Sequence, residues 1–262
     1  MRRMTLPGFD ETSFTHAGET RPVYRRGSGP GVVVMSEIPG ITPQVAAFAT
    51  RVAEAGFTAV MPQLFGTPGK PMGPAYMAQS IAQICITREF AVFASREPGP
   101  ITDWLRALCR STHEELGGKG VGAIGMCLTG NFALALMVDE SVMAPVLSQP
   151  SLPVPLGKER RRALHLSDAD LAVVKQRVAA GCPVIGMRFT GDPLVPKERF
   201  DRLREELGDG FEAIEIDSSK GNPYGLPRDA HSVVTTHLVD EEGHPTRRAL
   251  DRVLGFFKER LL

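Results

Sequence analysis

The sequence Gly-Val-Gly-Ala-Ile-Gly-Met-Cys-Leu-Thr-Gly at residues 120–130 is the most informative stretch for the fold. Residues 121–126 form an apolar run that suits a buried strand, and the apolar segment 128–138 suits a helix. Cys127 lies between them, with one glycine two residues before it and another three residues after it. A strand that turns sharply into a helix favours small flanking residues, because the turn residue is strained and its neighbours are crowded. The stretch therefore predicts a nucleophile elbow, with Cys in place of Ser and the second glycine one position late.

The four cysteines support different interpretations. A thiol at a helix N-terminus lies near the positive end of the helix dipole, which stabilises a thiolate. A free cysteine is more commonly a small buried hydrophobic residue, and this segment alone does not decide between the two interpretations of Cys127. Cys85, Cys109 and Cys182 are far apart and lack the spacing of metal ligands, so we expect core thiols, no metal site and a reducing cytoplasm.

The charge balance limits the classes of partner. The 262 residues include 30 basic and 30 acidic side chains, so the formal net charge is zero. This balance gives no electrostatic reason to expect binding to nucleic acid. The basic residues at 2–3 are followed by polar residues rather than an apolar segment, so we expect no signal peptide. No stretch reaches the roughly 20 apolar residues that a membrane span requires, and we expect no membrane partner.

Strand and helix patterns alternate along the chain. Predicted strands occupy residues 31–36, 57–61, 121–126, 144–149, 183–190 and 211–216, and predicted helices occupy residues 44–55, 78–94, 101–116, 128–138, 166–180, 197–207 and 247–261. Such alternation implies parallel βαβ units, with helices on both faces of a twisted sheet. No linker divides the chain, so we predict a single α/β domain over residues 1–262.

Polar residues follow several of the predicted strands, where chemistry in parallel sheets is located. Cys127 and Asp192 each come directly after a strand, and His231 lies in a loop after the last one. Cys, Asp and His in this chain order match the order of α/β-hydrolase triads. The predicted thiolate attacks an acyl carbon, His231 transfers protons, and Asp192 orients and stabilises the imidazole. The oxyanion needs two N–H donors, for which the backbone amides of Leu128 and Ile38 are the candidates.

Alternatives exist for two members of this set. Asp192 stands in a Gly-Asp-Pro sequence that is typical of turns, and Asp217 also follows a predicted strand and is the alternative acid. His237 and His244 compete with His231. We expect His237 on a helix that begins near residue 232 and His244 in a polar turn, both at the surface.

Four short segments resemble motifs of the dienelactone hydrolase family: Glu-Ile-Pro-Gly at 37–40, Gly-Met-Cys-Leu at 125–128, Gly-Asp at 191–192 and His-Ser at 231–232. The resemblance extends from about residue 31 to the C-terminal helix. It implies a single-domain α/β-hydrolase fold and hydrolysis of a small ester or lactone through a covalent thioester. It also implies that no metal and no organic cofactor take part.

The resemblance implies further roles. Glu37 resembles the carboxylate that pairs with the resting nucleophile, whereas its alternative is a solvated loop residue. Arg88 resembles the arginine that binds a substrate carboxylate, for which a planar charged group is well suited, and Ser232 would assist it as a hydroxyl donor. The alternative for Arg88 is a surface arginine paired with a nearby acid.

The chain also departs from the family pattern. Thr129 stands where the family commonly has glycine, and the segments 66–74 and 150–162 resemble insertions that border the mouth of the site. These departures leave the substrate open. A general carboxylesterase or thioesterase with the same triad is the alternative enzyme, and a non-catalytic protein that binds a ligand in this fold is the alternative class.

Overall fold

The computed structural model describes residues 6–86 and 99–262, which contain one eight-stranded sheet in the order β1-β2-β4-β3-β5-β6-β7-β8. The strands are β1 (Asp10–His16), β2 (Glu19–Gly27), β3 (Gly31–Met35), β4 (Thr58–Pro62), β5 (Val121–Met126), β6 (Val142–Ser148), β7 (Val184–Phe189) and β8 (Phe211–Ile216). Strands β3 to β8 are parallel, and β2 is antiparallel to both β1 and β4. The mostly parallel sheet confirms the predicted α/β fold.

Helices cover both faces of the sheet. They are α1 (Pro43–Glu54), α2 (Pro74–Ile86), α3 (Pro100–Leu116), α4 (Phe132–Leu136), α5 (Gly157–Arg162), α6 (Asp168–Ala179), α7 (Lys197–Leu207) and α8 (Pro245–Leu261). Apolar residues of α1 and α8 pack in the core on one face, and those of α3, α4, α6 and α7 pack in the core on the other. None of the helices in the described ranges combines the length and apolar character needed to cross a membrane.

Strand β3 shows why the central strands are continuously apolar. Val32 and Val34 belong to the core beneath α1 and α8, whereas Val33 and Met35 belong to the opposite core. All four side chains are fully buried, because successive residues of a strand point to opposite faces and both faces are covered. Residue-by-residue alternation between two cores therefore produces the Val-Val-Val-Met run.

The sequence pattern did not predict β1 and β2. Both strands carry many polar residues, and β1 lies at the edge of the sheet with most of its side chains exposed or half-buried. Their apolar contacts are few but specific, including an edge-to-face contact between Phe14 and Trp104 with ring centroids 5.2 Å apart. An apolar-run criterion misses a hairpin of this kind because only a minority of its residues reach the core.

The predictions differ from the structure at two segments, and a third predicted helix lies partly outside the described residues. The predicted helix 128–138 is a 3-10 turn at Cys127–Thr129 followed by the short α4, since Gly and Asn at 130–131 are poor helix formers. The predicted helix 78–94 corresponds to α2, and its part beyond residue 86 lies outside the described residues. The predicted insertion at 150–162 contains a helix, α5, that the sequence pattern did not predict.

The turn after β5 requires both of its glycines. A Cβ atom at Gly125 would lie 2.0 Å from the carbonyl oxygen of Thr129, and one at Gly130 would lie 2.5 Å from the Cα atom of Pro150. Real Cβ atoms do not approach other atoms this closely. The second glycine is late in the motif because it is position 130 that packs against the segment following β6.

We expect Gly125→Ala to lower the free energy of unfolding by about 3 kcal/mol, because the new methyl group overlaps a backbone oxygen that cannot move freely. Gly255 in α8 provides the matched control, since a Cβ there meets only Nη1 of Arg252 at 3.9 Å. Alanine is about 1 kcal/mol more favourable than glycine inside a helix, so Gly255→Ala should stabilise the protein. Urea denaturation followed by circular dichroism measures both variants. A Gly125→Ala variant as stable as the wild type would contradict this packing.

Candidate active site

Cys127 occupies a strained position at the carboxyl end of β5. Its φ angle is +56°, a left-handed conformation that costs a residue with a side chain on the order of 1–3 kcal/mol. Its carbonyl oxygen accepts hydrogen bonds from the amides of Gly130 and Ser151, both at 3.0 Å. The half-buried sulfur lies 3.4 Å from the hydroxyl oxygen of Ser151. The structure thus has the elbow that the sequence predicts, with the sulfur presented at the carboxyl edge of the sheet.

Thr129, the departure from the family pattern, stabilises this elbow. Its fully buried hydroxyl oxygen accepts a hydrogen bond from the Met126 amide at 2.9 Å. The hydroxyl proton is within reach of the carbonyl oxygens of Met35 at 3.0 Å and Ser36 at 3.3 Å. Thr129 therefore connects the turn that carries Cys127 to the end of β3, the strand that leads to Glu37.

His231 and Asp192 form a direct pair. Nδ1 of His231 lies 2.7 Å from Oδ2 of Asp192, whose side chain is buried. The other carboxylate oxygen of Asp192 accepts a hydrogen bond from the amide of Leu194 at 2.9 Å. Asp217, the alternative acid, is exposed and accepts from the amide of Ser219 at 2.9 Å. The structure brings Asp192, and not Asp217, to the imidazole.

The environment of His231 favours its protonated form. Burial on its own would lower the pKa of the imidazole, because it penalises the charged state. The hydrogen bond to Asp192 and the interaction with the Cys127 sulfur outweigh burial and raise the pKa of His231 to about 11. Nε2 is buried and has no hydrogen-bond partner within residues 6–86 and 99–262. The surroundings therefore favour the imidazolium, whose Nδ1–H donates to Asp192.

His237 supports the backbone of the His231 segment, a role that its predicted surface position did not suggest. Its Nδ1 accepts hydrogen bonds from the amides of His231 at 3.3 Å and Ser232 at 3.1 Å. The half-buried ring lies in a turn rather than a helix and contacts the Phe189 ring edge-to-face at 6.0 Å. Burial and the nearby charge of His231 lower the pKa of His237. Because Nδ1 accepts two hydrogen bonds, this imidazole is neutral.

His244 also differs from the prediction of a surface residue. It is half-buried at the N-cap of α8, where its Nδ1 accepts a hydrogen bond from the Thr246 amide at 3.3 Å. A side chain that satisfies an otherwise unpaired amide in the first turn stabilises the start of a helix. Its position indicates a structural role away from the His231–Asp192 pair.

Glu37 is almost completely buried, so the alternative of a solvated loop residue is wrong. One carboxylate oxygen accepts from the hydroxyl of Thr235 at 2.5 Å, and the other accepts from the hydroxyl of Ser232 at 2.5 Å and from Nε2 of Gln149 at 3.2 Å. Among the described residues, Ser151 and not Glu37 is within hydrogen-bond distance of the Cys127 sulfur. The structure does not show the predicted pair of Glu37 and the nucleophile.

Gln149 and Ser151 are site residues that the sequence prediction missed. The side-chain oxygen of Gln149 accepts hydrogen bonds from the hydroxyl of Ser148 and from the amide of Val233 at 3.4 Å. With its amide group on Glu37, Gln149 connects the end of β3 to the segment that carries His231. Both residues follow β6. The strand-end criterion applied to the predicted strand 144–149 would have found Ser151, whereas that prediction placed Gln149 inside the strand.

The predicted oxyanion donors lie at the same edge. Leu128 follows Cys127 in the 3-10 turn, and Ile38 lies three residues beyond β3, the strand that pairs with β5. No protein acceptor for either amide is found in the described part of the chain. Arg88 lies outside the described residues. Ser232, predicted to assist it, donates its hydroxyl to Glu37.

The segment after β6 is fixed in place by a buried arginine. Arg199 of α7 is fully buried, and its guanidinium donates to four backbone carbonyls: Pro150 at 2.6 Å, Pro153 at 2.6 Å, Ala163 at 3.0 Å and Arg160 at 3.0 Å. A planar group with five donors can serve several carbonyls at once. The predicted insertion at 150–162 is therefore anchored beside the candidate site. No metal-binding cluster of three or more His, Cys, Asp or Glu side chains occurs among the residues described.

We expect nuclear magnetic resonance titration of the imidazoles to separate the two neighbouring histidines. His231 should keep both ring protons through neutral pH, and His237 should titrate below the ordinary histidine pKa of about 6.5. Asp192→Asn should lower the pKa of His231, because the charge and the hydrogen bond that stabilise the imidazolium are weakened. Asp217→Asn, at the exposed acid, is the control and should leave both titrations unchanged. A His231 that titrates near pH 6.5 would contradict the ion pair.

Sequence comparison identifies the family. The sequence model of the dienelactone hydrolase family matches residues 19–261. A protein of Saccharomyces cerevisiae named "Putative carboxymethylenebutenolidase" is 26% identical over 189 residues, which are 71% of this chain and 66% of that relative. This chain therefore covers slightly less than two thirds of the length of that relative.

Solved structures share the fold over nearly the whole chain. The dienelactone hydrolase of Anabaena variabilis aligns with a TM-score of 0.57 at 15% identity, covering 98% of this chain and 100% of that one. A dienelactone hydrolase-like promiscuous phosphotriesterase from metagenomic libraries aligns with a TM-score of 0.62 at 18% identity, covering 97% and 98%. These similarities confirm the predicted α/β-hydrolase fold. The match of the family model over residues 19–261 shows that the chain belongs to the dienelactone hydrolase family.

Proposed function

We propose that this protein hydrolyses small esters or lactones through a thioester on Cys127, with His231 and Asp192 as the other members of the triad. The observation that carries the proposal is the pair of Asp192 and His231, whose Oδ2 and Nδ1 atoms are 2.7 Å apart. Nε2 of the same ring has no hydrogen-bond partner among the described residues, and the Cys127 sulfur contributes to the raised pKa of the ring. A nucleophile, a base and an orienting acid in this arrangement serve acyl transfer. A nucleophilic thiol must stay reduced, which fits the predicted cytoplasmic location.

Acylation begins with the thiolate–imidazolium form of the site. The Cys127 thiolate adds to the carbonyl carbon, and the carbonyl oxygen becomes an oxyanion that accepts hydrogen bonds from the amides of Leu128 and Ile38. As the tetrahedral intermediate collapses, Nε2–H of His231 donates its proton to the leaving alkoxide. The products of this step are an alcohol, a thioester on Cys127 and a neutral imidazole. In a lactone, the alcohol stays attached to the acyl group.

Deacylation reverses the proton transfer. The neutral His231 takes a proton from water while the water oxygen adds to the thioester carbon, and the same two amides bind the new oxyanion. Collapse expels the Cys127 thiolate and releases the carboxylic acid, and the imidazolium is restored beside Asp192. The carboxylate of Asp192 stays ionised throughout, holding Nδ1–H and stabilising each charged state of the ring.

Turnover of p-nitrophenyl acetate tests the proposal. We expect Cys127→Ala and Cys127→Ser to lower kcat/KM by at least about 10³-fold, since either removes the group that forms the thioester. Cys182→Ala is the control, because burial raises the pKa of the Cys182 thiol and removes it from reaction at neutral pH. Iodoacetamide should accordingly label Cys127 before Cys109 or Cys182. A wild type with no turnover and no labelled Cys127 would favour the non-catalytic binding protein.

The carboxylate preference of the substrate is tested separately. We propose that Arg88 binds a substrate carboxylate, so Arg88→Ala should raise KM for carboxylate-bearing esters and lactones about tenfold or more. Neutral esters should be unaffected. Arg248, an exposed arginine of α8, is the matched control in the form Arg248→Ala. Equal KM changes for acidic and neutral substrates would exclude a carboxylate clamp and favour the general carboxylesterase or thioesterase.

A further inference from the structure

Ser151 lies beside Cys127 in space, although the two residues are far apart in the chain. Neither the sequence prediction nor the four segments that resemble the family identify this serine. Ser151 places its hydroxyl oxygen 3.4 Å from the Cys127 sulfur, within hydrogen-bond range for a sulfur atom. The residue is 6% exposed, so solvent does not compete freely for this contact. The sulfur therefore has one neutral hydroxyl as its close polar neighbour, in addition to the imidazole of His231.

The position of Ser151 is fixed from both sides. Its amide donates to the carbonyl of Cys127 at 3.0 Å, which makes the two residues mutually dependent. The carbonyl before it, on Pro150, accepts from the guanidinium of Arg199 at 2.6 Å. The carbonyl after it, on Leu152, accepts from the side-chain amide of Asn131. With its backbone held in this way, the Ser151 hydroxyl has a defined direction toward the sulfur.

Glu37, the carboxylate predicted to pair with the Cys127 sulfur, makes its hydrogen bonds with other residues. Both oxygens of Glu37 already accept hydrogen bonds, from Ser232, Thr235 and Gln149. A carboxylate that turned toward the sulfur would leave these buried donors unpaired, at a cost of about 1–3 kcal/mol for each group. The contacts of Glu37 therefore suit a structural link between loops, and the sulfur is left with a different partner.

The direction of the hydrogen bond follows from the charge on the sulfur. A thiolate has no proton, so the Ser151 hydroxyl must be the donor whenever Cys127 is ionised. The sulfur of a thioester is neutral and a weak acceptor, so the same hydrogen bond is weak in the acyl-enzyme. Hydrogen bonds to charged groups are about twice as strong as those between neutral groups. The interaction accordingly strengthens as the sulfur leaves in deacylation.

We propose that Ser151 is a catalytic residue whose hydroxyl donates a hydrogen bond to the Cys127 thiolate, in the resting enzyme and as the thioester collapses. This rests on the proposed function of Cys127 as the nucleophile. In acylation, the hydrogen bond stabilises the thiolate before attack, so it adds nothing to the attack itself. In deacylation, it stabilises the departing sulfur, and its contribution belongs to that step.

Ser151→Ala should therefore affect kcat and KM together. We expect kcat for p-nitrophenyl acetate to fall about tenfold because deacylation slows, while kcat/KM, which reports acylation, changes less than threefold. The acyl-enzyme should accumulate and be visible by intact mass spectrometry as a larger acetylated fraction during turnover. A proportional loss of kcat and kcat/KM with no accumulation would overturn the assignment to deacylation.

The rate of Cys127 alkylation against pH tests the resting hydrogen bond without a substrate. We expect the midpoint of the iodoacetamide profile to rise by about one pH unit in Ser151→Ala and to be restored in Ser151→Thr, which keeps a hydroxyl. Ser141→Ala is the matched control, because the Ser141 hydroxyl donates to Asp139 at 2.7 Å at the amino end of β6. Its profile should coincide with that of the wild type.

The outcomes separate the two proposals. A Ser151→Ala profile that coincides with the wild type, in an enzyme that still turns over ester, overturns the role of Ser151 and leaves the thioester mechanism standing. If the midpoint of the alkylation profile rises in Glu37→Gln and does not shift in Ser151→Ala, Glu37 rather than Ser151 stabilises the thiolate. A wild type without turnover or alkylation of Cys127 overturns both proposals. Urea transitions of each variant show that the compared proteins are folded.

Discussion

The candidate site depends on a backbone conformation at Cys127 that an ordinary side chain disfavours. With φ at +56°, the residue stores strain on the order of 1–3 kcal/mol, and that strain persists only because the surroundings over-determine the turn. Two amides hold the Cys127 carbonyl, and the Thr129 hydroxyl ties the turn to β3. Gly125 allows the Thr129 carbonyl to approach where a side chain would block it. The sulfur is held at the carboxyl edge of the sheet because contacts to the ends of the strands on both sides of β5 hold the turn.

The segment that carries His231 is not part of a helix or strand, so regular backbone hydrogen bonds do not fix its position. His231 lies in a stretch of turns between β8 and α8, more than a hundred residues from Cys127 in the chain. Side chains from other parts of the fold form the hydrogen bonds that hold this segment. Glu37 accepts from Ser232 and Thr235, Gln149 accepts from Val233, and His237 accepts from the amides of His231 and Ser232. Buried networks of this kind fix geometry only when every member is satisfied, so the buried carboxylate of Glu37 helps to fix the position of the His231 segment.

Sequence reasoning predicted the fold, which the structure confirms, and grouped the three candidate triad residues for the same physical reason. Parallel strands buried on both faces must be apolar runs, and the polar residues that end them must meet at one edge, so Cys127, Asp192 and His231 could be proposed together. The apolar pattern did not predict the polar edge strands or the contacts between loops. β1 and β2 are polar and lie at the sheet edge, and the contacts of Glu37, Ser151 and His237 depend on which loops face each other. Residue order along one strand carries no information about that.

The chemistry of the elbow residue and the charge state of His231 are mutually dependent. A serine hydroxyl at position 127 would need a neutral imidazole to take its proton at the moment of attack. The surroundings of His231 raise its pKa to about 11, which favours the charged form of the ring, and that form has no lone pair to accept a proton. In the proposed mechanism a thiol avoids this difficulty because it ionises before substrate arrives, and the imidazolium then acts as its counter-ion and as the acid for the leaving alcohol. The Cys127 sulfur itself helps to keep that imidazole charged. Exchanging Cys127 for serine would also remove part of what keeps the imidazole charged, so the residue at the elbow and the charge of His231 change together.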